Sequence, residues 1–144
     1  MAIPVQVTFD CADVDTQARF WAAALDYQLQ PPPEGFDSWD SFLDSIGVPA
    51  DQRDTMSAVV DPEGNGPRLL FQKVPEAKSA KNRVHLDVNV GGGREVPDAE
   101  RRQRAEAKAA ELVDLGGRQV GPVEQHGEFW IVMADPEGNE FCLQ

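Results

Sequence analysis

One string of five residues, Asp-Pro-Glu-Gly-Asn, stands twice in this chain, at Asp61 to Asn65 and again at Asp135 to Asn139. The offset is 74 residues in a chain of 144, about half its length. Each copy follows an apolar run, Ala58-Val59-Val60 in the first case and Trp130 to Ala134 in the second, and each leads into another that ends on Gln72 or Gln144. The composition of the string dictates a turn. Asp in first place bonds back to the backbone, Pro in second pre-sets φ, and Gly in fourth accepts positive φ. Each copy therefore reads as the turn of a β-hairpin, and a repeat at this period reads as two similar modules.

The segments around the two turns repeat as well. Residues 4–11 alternate, with Val5, Val7 and Phe9 on one face and Gln6, Thr8 and Asp10 on the other, as in a half-buried strand. Asp13 caps a helix over 14–26, whose apolar stripe is Val14, Ala18, Trp21 and Leu25, joined by Phe20 and Ala24. Tyr27 to Gln30 begin a second strand, stopped by Pro31-Pro32-Pro33. Residues 34–55 have no counterpart in the second half. Trp39, Phe42, Leu43 and Ile46 sit there at helical spacing, and Gly47 and Pro49 follow, which predicts a short inserted helix near 38–47. Its apolar face either packs on the core or walls a ligand cleft. Strands at 56–61 and 67–73 complete the first half.

In the second half, residues 83–90 alternate again. Val84, Leu86, Val88 and Val90 face one way and His85, Asp87 and Asn89 the other. Gly91-Gly92-Gly93 lacks the Gly-Lys-Ser/Thr of a phosphate loop and reads as a turn. A helix over 98–115 with the stripe Ala105, Ala109, Leu112 and Val113 follows, then strands near 118–122, 128–134 and 139–143. The order strand–helix–strand–strand–strand thus occurs twice. We expect an α+β fold of two βαβββ modules forming a curved mixed sheet around a cleft: one domain over 1–144, with modules at about 1–73 and 83–144 and a polar linker at 74–82.

Charge narrows the function. With 25 acidic against 13 basic residues the net charge is −12, which opposes non-specific nucleic-acid binding. No apolar run approaches the roughly 18 residues of a membrane span, and the N-terminus lacks a signal-peptide layout, so a cytoplasmic protein is expected. Cys11 and Cys142 show no metal or redox spacing and read as reduced thiols. The polar strand faces carry the functional signal. Gln6, Thr8, Asp10, His85, Asp87 and Asn89 cannot all face a dry core without partners, so a water-filled cleft is expected beside them.

Several stretches in order resemble the vicinal oxygen chelate superfamily, and its glyoxalase-like branch above all: Asp10 to Asp13, Phe20 to Leu25, Phe71 to Glu76, Asn82 to Asp87 and Asp135 to Leu143. That superfamily includes glyoxalases, extradiol dioxygenases and bleomycin-resistance proteins. The resemblance implies paired βαβββ modules closing around a small-molecule site. It also implies a divalent metal held by one residue on the first strand and one on the last strand of each module. By register these positions fall on Gln6, Leu70, His85 and Cys142. Leu70 has no donor atom, and Cys142 puts a soft thiolate where a hard-metal site takes a carboxylate. With the ligand positions incomplete, no metal ligand and no cofactor is assigned. A dioxygenase iron centre would need two inward His and a carboxylate, and His126 reads as a hairpin-tip residue.

Two functions remain open. One is a metal-free binding protein of the bleomycin-resistance type, taking a small organic ligand. The other is a glyoxalase-like lyase or isomerase with an altered, metal-dependent or metal-free centre at His85, with Asp87 raising its basicity. An unfamiliar metal site from His85, Asp87 and Glu140 belongs to the second. The ligand-contacting set is Gln6, Thr8, Trp39, Phe42, Gln72, His85, Asp87, Trp130, Cys142 and Gln144. The expected partners are a small organic ligand and a second copy in a homodimer, with no nucleic acid and no membrane.

Overall fold

Both Asp turns form as their composition dictates. In the computed structural model, which describes all 144 residues, the Asp61 carboxylate accepts the backbone N–H groups of Glu63 at 2.9 Å, Asn65 at 3.0 Å and Gly66 at 2.9 Å. Asp135 likewise accepts from Glu137 at 3.0 Å and Asn139 at 2.9 Å, and also from the Asn139 side-chain amide. Gly64 and Gly138 close each turn with a bond from their N–H to the Asp carbonyl, at φ of +75° and +87°, values that suit glycine.

Each turn joins two antiparallel strands, and the second of each pair runs parallel to the first strand of its module. In the first module the elements are β1 (Val7–Cys11), α1 (Val14–Leu25), β2 (Gln28–Leu29), α2 (Trp39–Ser45), a 3-10 turn (Ala50–Gln52), β3 (Met56–Val60) and β4 (Leu69–Lys73). Its sheet has the order β1-β4-β3-β2. The second module comprises β5 (Asp87–Val88), α3 (Asp98–Asp114), β6 (Arg118–Gln125), β7 (Glu128–Ala134) and β8 (Glu140–Leu143), and its sheet has the order β5-β8-β7-β6. The fold is thus α+β with two four-stranded mixed sheets in one repeated order. The chain clusters into two compact units, Met1–Ala22 with Asp26–Ala77, and Ala23–Leu25 with Lys78–Gln144.

In the first unit the apolar face of the sheet packs through rings. Phe9 lies 5.0 Å from Trp21 of α1 and 5.3 Å from Phe71 of β4. Val59, Leu69 and Phe71 are fully buried there, and Trp21, Phe20 and Ala18 bury the stripe of α1. Asp13 caps α1 by accepting the Thr16 N–H at 3.1 Å and its hydroxyl at 2.7 Å, which pulls the Asp13 carboxyl below the usual carboxylate range. In the second unit α3 lies on β6, β7 and β8. It buries Ala105, Ala109 and Leu112 beside Ile131, Met133, Phe141 and Leu143. No helix is long and apolar enough to cross a membrane.

Three edges differ from the sequence expectation. The first strand begins at Val7, and Val5 is exposed, because pairing with β4 starts at Val7 opposite Leu69. The strand expected over 83–90 shortens to Asp87–Val88, and Val84 is exposed. Its partner β8 offers pairing only at Cys142 and Leu143, and the Glu140 N–H is taken by the Asn82 side chain at 3.1 Å, so residues before Leu86 leave the ladder. Val113 is exposed, leaving Leu112 as the last buried residue of the α3 stripe.

Asp135 is buried, and removing its carboxylate leaves the N–H groups of Glu137 and Asn139 without their acceptor. We expect Asp135→Ala to cost roughly 2–4 kcal/mol of unfolding free energy in urea titrations. Asp61→Ala should cost less, because water reaches that turn. Equal losses at the two turns, or none at Asp135, would show that burial of the second turn contributes nothing.

Candidate functional site

The polar face of the first sheet, opposite Phe9 and Phe71, is where the inserted segment lies. A cavity of about 1070 Å³ opens there. Leu29, Met56, Ala58 and Leu70 come from the strands, and Trp39, Phe42, Leu43 and Ile46 from α2 and the turn after it. Helix α2 buries no residue fully, so its apolar face serves as cavity wall. Trp39 and Phe42 meet edge to face at 5.9 Å, and Phe42 meets Phe36 at 5.2 Å. The segment is pinned by Arg53, which pairs with Asp40 at 3.3 Å and with Asp44, and donates to the Val48 carbonyl at 2.8 Å.

A hydrogen-bond chain runs along one side of this cavity. Gln6 donates to the Thr8 hydroxyl at 3.3 Å, and its carbonyl accepts from Arg68 Nη1 at 2.7 Å. Arg68 Nε donates to the side-chain carbonyl of Gln30 at 2.7 Å, and the main-chain carbonyl of Gln30 accepts the Trp39 indole N–H at 2.8 Å. Two of the residues marked from the sequence line this cavity, Trp39 and Phe42; Gln6 and Thr8 are exposed, lie off its lining and connect to it only through Arg68. Gln72 is engaged elsewhere, donating to Asp10 across the β1–β4 pair at 2.6 Å.

The second unit gathers a different set. His85 Nδ1 lies 3.3 Å from the Asp87 carboxylate, and donor atoms of His85, Asp87 and Cys142 all lie within 4.8 Å of one another. Strand register explains the grouping. Asp87 pairs with Cys142 across β5 and β8, and His85 precedes it by two positions. His85 and Asp87 are about half exposed and Cys142 is buried. Burial and the charge of Asp87, to which the thiol also bonds, push Cys142 up to about 11. Glu140, marked from the sequence as a partner of His85 and Asp87, is drawn into an ion pair with Lys81, which holds its carboxyl below the usual range. Trp130 and Gln144 line a separate cavity of about 660 Å³ with Asn89, Arg101, Arg102 and Phe129, and Gln144 donates to Asn89 at 2.8 Å. His126 forms the β6–β7 turn with Gly127, at φ of +53° and +78°.

The metal set implied by the resemblance can be tested on its donors. Thr8 pairs with Leu70 as Asp87 pairs with Cys142, so the register that assigns Leu70 and Cys142 to matching positions holds in both sheets. Leu70 is a half-buried hydrocarbon on the cavity wall and cannot ligate. The hard-metal set is therefore incomplete, and the donors present in the second unit are a thiol, an imidazole and a carboxylate, a mixture suited to zinc-like ions. Sequence reasoning missed Arg68 and Gln30. The signal for Arg68 was its position two before Leu70 and four before Gln72, on the same strand face. For Gln30 no sequence signal existed, since its role depends on where the insertion folds back.

The raised Cys142 thiol has a measurable consequence. The folded chain holds that proton up to about pH 11, whereas the unfolded thiol releases it near 9.0, so stability should fall as pH rises between these values. In a Cys11→Ser background, iodoacetamide should alkylate Cys142 slowly at pH 8 and faster only as pH approaches 11. Asp87→Asn should move that profile to lower pH. A profile centred near that of a free thiol and indifferent to Asp87→Asn would contradict the assigned environment.

Comparison with known proteins adds family and fold. Residues 6–144 match the family described as glyoxalase-like domain. No curated protein matches the chain. Among solved structures, a possible glyoxalase from Bacillus cereus is similar at 12% identity with a TM-score of 0.61, covering 100% of this chain and 99% of its own. A glyoxalase/bleomycin resistance protein/dioxygenase family enzyme from Burkholderia phytofirmans is similar at 14% identity with a TM-score of 0.59, over 96% of this chain and 94% of its own. The fosfomycin resistance protein FosX from Mesorhizobium loti is similar at 13% identity with a TM-score of 0.61, over 100% of this chain and 91% of its own. These identities carry the fold alone. With the family match spanning nearly the whole chain, and with strand order and turn geometry repeated in both modules, the protein belongs to the glyoxalase-like domain family.

Proposed function

We propose that this protein binds a small organic molecule in the cavity of its first unit, in the manner of the bleomycin-resistance branch and without the metal centre implied by the family resemblance. The observation that carries this reading is the cavity built by the insertion: about 1070 Å³, walled by Trp39, Phe42, Met56 and Leu70, with a few fixed polar groups at its edge. That is the usual composition of a small-molecule site, and the volume is of the order such sites have. The aromatic walls suit a ligand that is at least partly planar. Leu70 in a metal-ligand position supports binding over metal chemistry, since the same side chain that removes a ligand extends the apolar wall.

A thermal-shift screen of planar organic compounds tests this. By linkage, a ligand at a hundred times its dissociation constant should add about 2.7 kcal/mol of stability. Trp39→Ala and Phe42→Ala should each shrink that shift, and His126→Ala should leave it intact. Stabilising compounds indifferent to both wall substitutions would place the binding site outside this cavity.

The 4.8 Å grouping of His85, Asp87 and Cys142 favours a second reading, a lyase or isomerase with an altered centre. In it His85 acts as the base and Asp87 orients it from 3.3 Å. If an ion is used, these three residues would hold it, and it would supply Lewis-acid polarisation of the substrate. Binding would have to displace the proton that burial keeps on Cys142. Titration with cobalt(II) discriminates the readings. A thiolate charge-transfer band that disappears in Cys142→Ser supports the enzyme reading with a metal, and no band at saturating cobalt argues against a metal there.

A further inference from the structure

Arg68 stands out among the charged residues of the first-unit cavity. The other two cations on its lining are neutralised by carboxylates: Arg53 by Asp40 and Asp44, and Lys73 by Asp54 at 2.7 Å. Arg68 is held by two neutral amides, at 2.7 Å from Gln30 and 2.7 Å from Gln6, and no carboxylate of the protein lies within ion-pair distance. Those bonds use Nε and Nη1 and fix the plane of the guanidinium, leaving Nη2 without a protein partner. The acidic residues on the lining are engaged elsewhere. Asp15 pairs with Arg19 at 2.9 Å, Asp54 with Lys73, and Asp13 with the Thr16 N–H and hydroxyl. Asp13 and Lys73 also lie at the far end of the β1–β4 pair. Arg68 directly precedes the Val7–Leu69 end, and Lys73 pairs with Cys11 at the other, so roughly 13 Å of strand separates the two ends. In a chain of net charge −12, a fixed, half-buried and uncompensated cation on the wall of a partly apolar cavity is a device for a negative ligand.

Position supplies the rest. Gln30 accepts from Arg68 through its side chain and from the Trp39 indole through its main chain, so the cation and the aromatic wall hang from one residue. Arg68 and Trp39 both line the cavity, so one ligand can reach both. We propose that the cavity takes a planar organic anion, its carboxylate or similar oxyanion on Arg68 and its apolar body against Trp39 and Phe42. This rests on the small-molecule reading given above and names the ligand class for it. Arg68 is the specificity-determining contact, and Gln6 and Gln30 are positioning residues.

Calorimetric titration with matched pairs tests it: naphthoate against naphthamide, and indole acetate against indole acetamide. Each acid should bind about tenfold tighter than its amide, the margin a charge-assisted hydrogen bond adds over a neutral one. Arg68→Gln should bring acid and amide to the same affinity, and an unchanged far-UV circular dichroism spectrum shows that the variant folds. Arg68→Lys, which keeps the charge and loses the fork, should retain part of the preference. Trp39→Ala should weaken acid and amide alike. If acid and amide bind equally to the native protein and both weaken in Trp39→Ala, the anion inference is overturned and the cavity reading stands. A preference for acids that survives Arg68→Gln overturns it too, by assigning the anion to another cation. If no member of either pair binds at millimolar concentration, the small-molecule reading of this cavity fails and takes the ligand class with it.

Discussion

A carboxylate that accepts backbone N–H groups on its own turn decides where everything after it goes. Asp61 and Asp135 each fold the chain back at a fixed residue, and the strand that leaves the turn reaches the first strand of its module in one register. Because side chains alternate along a strand, a slip of one residue would exchange the two faces of β4 or β8. Phe71 would leave the core, and Leu70 would leave the cavity wall. In the second module the same slip would separate Cys142 from Asp87. The chemistry of both units is thus downstream of a few short hydrogen bonds made by aspartate.

On this shared register the two modules have taken different courses. The position filled by Leu70 in the first is filled by Cys142 in the second, and Thr8 stands where Asp87 stands. The first module has an apolar wall and an added segment to enclose space; the second has kept a compact polar cluster at the sheet edge. The insertion is a short helix with no fully buried residue, held by Arg53 and by a single indole hydrogen bond to Gln30. Such a segment costs the core little, since the sheet beneath it is closed from the other side by Phe9, Phe71 and Trp21.

The periodic parts of the fold were legible in the sequence and the conditional parts were not. Helices with a stripe such as Val14, Ala18 and Trp21, and turns with Asp, Pro and Gly in fixed places, carry their structure in local residue types. The ends of β1 and β5 do not, because a strand stops where its partner stops; Val5 and Val84 have the right pattern and no neighbour to pair with. For the site, alternation paired His85 with Asp87, which lie 3.3 Å apart, and helical spacing paired Trp39 with Phe42, which line one cavity. Glu140, offered by spacing as a further partner of His85 and Asp87, is drawn to Lys81, 59 residues away, an ion pair that spacing cannot reveal. Arg68 was overlooked for a related reason: a charged residue beside a turn looks solvated until the segment that encloses it is placed.

The parallel pairing of first with last strand also bears on how the chain can be made. β1 has β4 as its only strand partner and β5 has only β8, so the opening strand of each module stays unpaired until its closing strand has been synthesised. Contacts of such long sequence separation form late and fold slowly. A ribosome-bound chain must carry the exposed edge of β1 through the whole insertion before Leu69 to Lys73 emerge to cover it. Lengthening that insertion further would add little to the entropy of loop closure, which grows only with the logarithm of length. It would add to the time for which the edge is open to other chains. The inserted segment that shapes the cavity therefore also sets how long the edge of β1 waits for its partner.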